Sequence, residues 1–101
     1  MSVTDARDNV PELLESNLRV PEHVVFRSFA SETVVLNLET GTYHGLNPTG
    51  GRILELLERT KTVHDASARL AEEYGLELDA AERDVSGFCL DLLDRGLLET
   101  A

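Results

Sequence analysis

From His23 the chain turns to β-branched and aromatic residues, with Val24, Val25, Phe26 and Phe29 followed by Val34, Val35, Leu36 and Leu38. Two short strands fit this texture, separated by Ala30-Ser31-Glu32. Glu39-Thr40-Gly41 then supplies a glycine suited to a positive φ angle, and Thr42 to Leu46 resumes the extended pattern. The prediction is a three-stranded antiparallel meander.

Past Leu46 the apolar spacing becomes helical. Asn47-Pro48 marks a helix start, because Asn accepts a backbone N–H as N-cap and Pro fits the first helical position without losing a needed donor. Ile53, Leu54, Leu56 and Leu57 form the apolar stripe of a helix running to about Arg59. Gly50 and Gly51 weaken its first turn, a cost that close approach of helix to sheet would offset. Thr62 with Asp65 resembles a capping box, and the second helix carries Val63, Ala66, Leu70 and Tyr74 before stopping at Gly75. Asp79 with Glu82 marks the third start. Ala81, Val85, Phe88, Cys89, Leu92 and Leu93 follow at helical spacing up to Arg95-Gly96, where a cation and a glycine suit a helix C-terminus. Leu97-Leu98-Glu99 is expected to trail as a short extended tail.

Residues 1–21 are mixed and polar, with a weak stripe at Val10, Leu13, Leu14 and Leu18 interrupted by Pro11. They are expected to form a mobile N-terminal arm with one helical turn, since Pro is tolerated in the first turn of a helix. An arm docked on the core or on a partner is the alternative. Residues 22–101 then form the folded domain: an α+β unit of three antiparallel strands followed by three helices, the helical half like a winged helix-turn-helix.

Length bounds what such a domain can do. A chain of 101 residues makes one small core with little room for a deep, walled active site. Charge narrows the partners further. Nine Lys and Arg stand against nineteen Asp and Glu, a net charge of −10, so polyanions are disfavoured and no nucleic-acid partner is expected. The imbalance is steepest after Leu70, where Glu72, Glu73, Glu77, Asp79, Glu82, Asp84, Asp91, Asp94 and Glu99 face only Arg83 and Arg95. A cationic or neutral peptide suits that field, with salt-dependent association. Solubility alone would also account for these acids.

Catalytic chemistry finds no support. His23, His44 and His64 fall on different elements without Cys or carboxylate at metal-ligand spacing, so neither a metal nor a cofactor is expected. Cys89 sits within an apolar helical stripe, where a thiol behaves as a small buried hydrophobe with a raised pKa. Asp91 and Asp94 read as solvated helix charges. There is no Gly-rich phosphate loop and no Ser/His/Asp arrangement. A lone cysteine and the absence of an N-terminal basic-then-apolar signal make the cytoplasm the default location. No stretch reaches the ~20 apolar residues of a membrane span, and no membrane partner is expected.

The run Leu36-Asn37-Leu38-Glu39-Thr40-Gly41-Thr42-Tyr43-His44-Gly45-Leu46-Asn47-Pro48-Thr49-Gly50, then Ile53-Leu54, resembles PqqD-like proteins, also called RiPP recognition elements. Asp84-Val85 to Phe88 and Leu92-Leu93-Asp94-Arg95-Gly96-Leu97-Leu98 are similar to that family's last helix and exit. The resemblance covers about residues 23–99. It implies a non-catalytic domain that binds the leader segment of a ribosomal precursor peptide and delivers it to a separate maturation enzyme, such as a leader peptidase. The hairpin pattern looks most like the stand-alone recognition proteins of lasso-peptide pathways.

In such domains the leader adds as a strand to the third strand and lies against the last helix, an instance of β-augmentation. Carried onto this chain, the implied peptide-binding residues are Thr42, Tyr43, His44, Gly45 and Leu46 on the strand, with a helix wall drawn from Val85, Ser86, Phe88, Cys89, Leu90 and Leu93. Tyr43 and His44 could instead pack as ordinary hairpin residues. A winged-helix transcriptional regulator is the rival reading, although its recognition helix would have only Arg83 and Arg95 among several acids.

Overall fold

In a computed structural model, residues 10–101 are described. The chain order is α1 (Val10–Glu15), β1 (Leu18–Arg19), β2 (Val24–Ser28), β3 (Thr33–Asn37), β4 (Tyr43–Leu46), α2 (Pro48–Arg59), α3 (Val63–Tyr74), α4 (Leu78–Asp94) and β5 (Glu99–Thr100). Strands β2, β3 and β4 form the antiparallel meander, with β3 central. Helices α2 to α4 follow it, so the α+β, winged helix-turn-helix-like order holds.

Local signals act where the sequence puts them. Gly41 turns the β3–β4 hairpin at φ 74°, and Asn37 Oδ1 accepts the Glu39 and Thr40 amides across that turn. Asn47 caps α2 by accepting the Gly50 N–H at 2.8 Å, and Thr62 caps α3 by accepting the Asp65 N–H at 3.1 Å. Gly75 ends α3 in the left-handed region. At the end of α4, Gly96 donates to the Leu93 carbonyl and Leu97 to that of Leu92, which closes the helix in a Schellman reversal.

One start differs from expectation. Helix α4 begins at Leu78 with Glu77 at the cap and no side-chain cap bond, while Asp79 lies inside the first turn. The turn Gly75-Leu76-Glu77 already completes the reversal from α3, so the backbone is helical before Asp79. Its carboxylate favours the helix N-terminus through the dipole instead.

Both chain ends are tied into the fold, the N-terminal one as the docked alternative has it. Of the arm expected over residues 1–21, residues 1–9 lie outside the described part. The remainder is built into the domain. Leu13 and Leu18 are 8% and 3% exposed, Val63 donates its N–H to the Ser16 carbonyl, and β1 pairs antiparallel with β5. The expected tail is likewise core, with Leu97 and Leu98 only 1% and 3% exposed. The Schellman reversal turns Leu97 back onto the bundle, and the chain then meets β1. Arg19 Nε donates to Glu99 Oε2 across that pairing.

The core lies between the helices and one face of the sheet. Val24 and Val35 from the sheet meet Ile53, Leu54, Leu56 and Leu57 of α2, with Val63 and Leu70 of α3 and Val85, Cys89 and Leu92 of α4 behind them. Alternation along β3 sends Thr33, Val35 and Asn37 inward and Val34 and Leu36 outward.

Candidate functional site

Strand β4 has β3 on one side and no strand on the other among the described residues. Which peptide groups face that open edge follows from the ladder phase. Asn37 donates to the Thr42 carbonyl, whereas Leu38 donates to His23 and Phe29 to Glu32 on the β2 side. In an antiparallel ladder bonded and non-bonded pairs alternate. Register pairs Val35↔His44 and Thr33↔Leu46 therefore carry the β3–β4 bonds, and the backbone groups of Tyr43 and Gly45 turn outward. Each of these two residues offers one N–H and one C=O.

Side chains alternate along the same strand. Tyr43 is 71% exposed on the outer face, and His44 and Leu46 are half-buried on the helix side. A β-carbon at Gly45 would meet only Glu32 Oε1, at 3.4 Å. Backbone there is open to close approach from the edge. Thr42 belongs to the hairpin turn, its carbonyl held by Asn37 and its hydroxyl paired with that of Thr40.

Helix α4 reaches this region through Phe88. A β-carbon on Gly50 would lie 3.0 Å from Phe88 Cε1 and 3.3 Å from Leu46 Cβ, so Phe88, Leu46 and the first turn of α2 meet at one corner. The missing side chain at Gly50 lets them meet. Other sequence-predicted wall residues are not brought there. Val85 and Cys89 are fully buried core residues and Ser86 is 2% exposed. Leu90 and Leu93, both half-buried, lie about 160° and 140° around the helix from Phe88.

Three residues outside the predicted set share the Phe88 stripe by helical spacing: Asp84, Asp91 and Arg95, all exposed. Arg95 Nε donates to Asp91 Oδ1 at 3.1 Å. The signal for them was the spacing from Phe88, hidden because isolated helix acids read as solvated charge. Of the predicted set, then, the structure assembles Tyr43, His44, Gly45, Leu46 and Phe88 at or beside the open edge.

Titratable groups elsewhere hold helices together. Arg52 forms a two-pronged bond to Glu73, 2.8 and 2.6 Å, between α2 and α3, and this hydrogen bond holds the Glu73 carboxyl below its ordinary value. His64 Nδ1 lies 2.7 Å from Glu82 Oε2 between α3 and α4. Burial pushes the Cys89 thiol up to about 12. Among the described residues no group of three or more His, Cys, Asp or Glu could hold a metal ion. Nor is any described helix long and apolar enough to cross a membrane.

These features define a class: a winged helix-turn-helix-like domain whose sheet ends in an unpaired edge beside the last helix. The chain belongs to the PqqD family, whose sequence model, Coenzyme PQQ synthesis protein D (PqqD), matches residues 32–98. Two solved structures share its fold. TbiB1 in complex with the TbiA(beta) leader peptide is 36% identical with a TM-score of 0.73, over 80% of this chain and 94% of that one. A lasso peptide synthetase B1 complexed with the leader peptide is 25% identical with a TM-score of 0.74, over 83% and 99%. Comparison with curated protein sequences gives no match.

Proposed function

We propose that this domain binds the leader segment of a ribosomally made precursor peptide as an added strand on β4 and delivers it, in the cytoplasm, to a separate maturation enzyme such as a leader peptidase of a lasso-peptide pathway. The observation that carries the reading is the open edge at Tyr43 and Gly45 in a chain whose fold matches two leader-peptide complexes. An added strand would draw affinity from the outward N–H and C=O groups of those two residues. Side chains of the leader turned toward the helices would meet His44, Leu46 and Phe88. Asp84 on the Phe88 stripe, where Asp91 is already bonded to Arg95, favours a leader that is neutral or cationic nearby. This reading places covalent chemistry on the partner enzyme.

A gene-regulatory role gains nothing from the charge of α4. Arg83 and Arg95 stand there among Asp79, Asp84, Asp91 and Asp94, the reverse of what a phosphate backbone requires.

Titration of a fluorescently labelled leader peptide tests the proposal. Gly45→Pro removes an outward N–H and adds bulk at the edge, and Tyr43→Glu places charge beside it. Each variant is expected to weaken binding by about tenfold or more, a difference of about 1.4 kcal/mol, with an unchanged circular dichroism spectrum. Full affinity in both variants would remove the β4 edge as the site.

A further inference from the structure

Strand β2 is the other edge of the sheet. Among the described residues no strand borders it on the side away from β3. Leu38 donates to the His23 carbonyl and Phe29 to that of Glu32, so the bonded pairs with β3 include Val25↔Leu36 and Arg27↔Val34. By the same alternation that governs β4, the backbone groups of Val24, Phe26 and Ser28 turn outward. The Val24 N–H is taken by the Pro21 carbonyl at 3.0 Å, which leaves the Val24 C=O and both groups of Phe26 and Ser28. Pairing with β3 runs unbroken along β2, with no proline and no bulge. Edge strands are ordinarily blunted by such devices. This one is a template for another strand.

A hollow of about 330 Å³ opens beside this edge, walled by Val20, Pro21, Val24 and Phe26 and by the acids Glu22 and Glu58. Both acids are exposed, and neither is in an ion pair among the described residues. In a strand added to β2, side chains paired with Val24 and Phe26 would point to the helix side, toward the hollow and its two carboxylates. Charge therefore selects the occupant. A Lys or Arg at such a position would lay its methylene stem on the apolar wall and set its charge beside Glu22 or Glu58. A second copy of the chain fits less well. Antiparallel pairing of two β2 strands about Phe26 would make the two Arg27 side chains diagonal neighbours on one face, between proteins that each carry a net charge of −10.

We infer that the β2 edge is a second strand-docking site, for an extended, cationic segment of a partner protein whose Lys or Arg enters the hollow between Glu22 and Glu58. The site lies on the opposite edge of the sheet from β4, so its occupant does not compete with a peptide there. No residue of β4 or α4 takes part, and the site stands whether or not β4 binds a leader. With both edges filled, one continuous sheet joins two different chains through this domain.

The probe is an end-blocked peptide, Thr-Val-Lys-Val-Lys-Val-Thr, titrated into the isotope-labelled full chain and followed by amide NMR shifts. Saturable shifts are expected at Phe26 and Ser28. The same peptide with Glu in place of Lys should bind about tenfold or more weakly, and added salt should weaken the Lys peptide. Glu58→Lys reverses a charge at an exposed position of α2, whereas Ser28→Pro removes an outward N–H without breaking a bond to β3. Each should cost the Lys peptide about tenfold or more in affinity, with the shifts of core amides kept at their parent values. Absence of shifts at Phe26 and Ser28, equal affinity for the Lys and Glu peptides, or parent-like binding by both variants overturns the inference. So does a dimer in sedimentation that Ser28→Pro abolishes, which would give the edge to a second copy.

Discussion

Gly51 of α2 and Thr33 of β3 touch so closely that a β-carbon on Gly51 would lie 1.9 Å from Thr33 Oγ1 and 2.8 Å from its Cβ. No side chain fits between them. Gly51→Ala gains about 1 kcal/mol of helix propensity but must push α2 off the sheet, which costs about 1–3 kcal/mol or more. Net destabilisation is expected in urea unfolding, and Thr33→Gly in the same chain should recover part of it.

Two buried serines should respond in opposite directions. Ser67 Oγ donates to the Val63 carbonyl at 2.8 Å, whereas Ser86 Oγ is buried without a partner among the described residues. Ser67→Ala is expected to cost about 1 kcal/mol, and Ser86→Ala to be neutral or stabilising by about as much. Chemical denaturation of the two variants checks the contrast.

The β1 segment should matter to the whole fold. Leu18, 3% exposed, packs in the core while its strand joins β5. Leu18→Ala is expected to cost about 2–4 kcal/mol, and removal of residues 1–20 to broaden or abolish the cooperative thermal transition.

Cys89 should be inert in the native protein. With its thiol pushed up to about 12 by burial, a thiol reagent at pH 8 is expected to label it only upon unfolding. The thiol binds its proton more tightly in the folded state, so this contribution is complete below the ordinary thiol value of 9.0 and is lost as pH rises from there toward 12. Thermal melts of the parent and Cys89→Ala between pH 8 and 11 should diverge in that sense.

Acid should loosen the brace between α2 and α3. Because its hydrogen bond to Arg52 depresses Glu73, the pair's contribution is present above the ordinary value of 4.5 and is lost as pH falls through the lower native value. Glu73→Gln should lower the melting temperature at neutral pH and flatten its decline below pH 4.5 relative to the parent.

Signals confined to a few adjacent residues were readable from the sequence: the Gly41 hairpin, the Asn47-Pro48 start, the Thr62 cap and the Gly75 stop. Gly50 and Gly51 announced a close helix-to-sheet approach, though not that Thr33 and Phe88 were the neighbours. What failed was nonlocal. A strand of two residues has no periodicity, and Leu18 meets Thr100 only through tertiary pairing. Helix α4 exposed the other limit, since its apolar stripe identifies a buried face but not which flank borders β4. Val85 and Cys89 belong to the core and Phe88 to the edge, a division made by the placement of α2.

The pairing of β1 with β5 has a consequence for how the domain can be joined to other proteins. Leu18 and Thr100 are register partners, hence about 5 Å apart at their Cα atoms. The first and last strands of the folded body run side by side, held by the Arg19–Glu99 ion pair. A host chain could accept the domain as an insert in a single surface loop, its path entering through α1 and leaving from β5. Such a graft would load neither strand with tension and would leave β4 free.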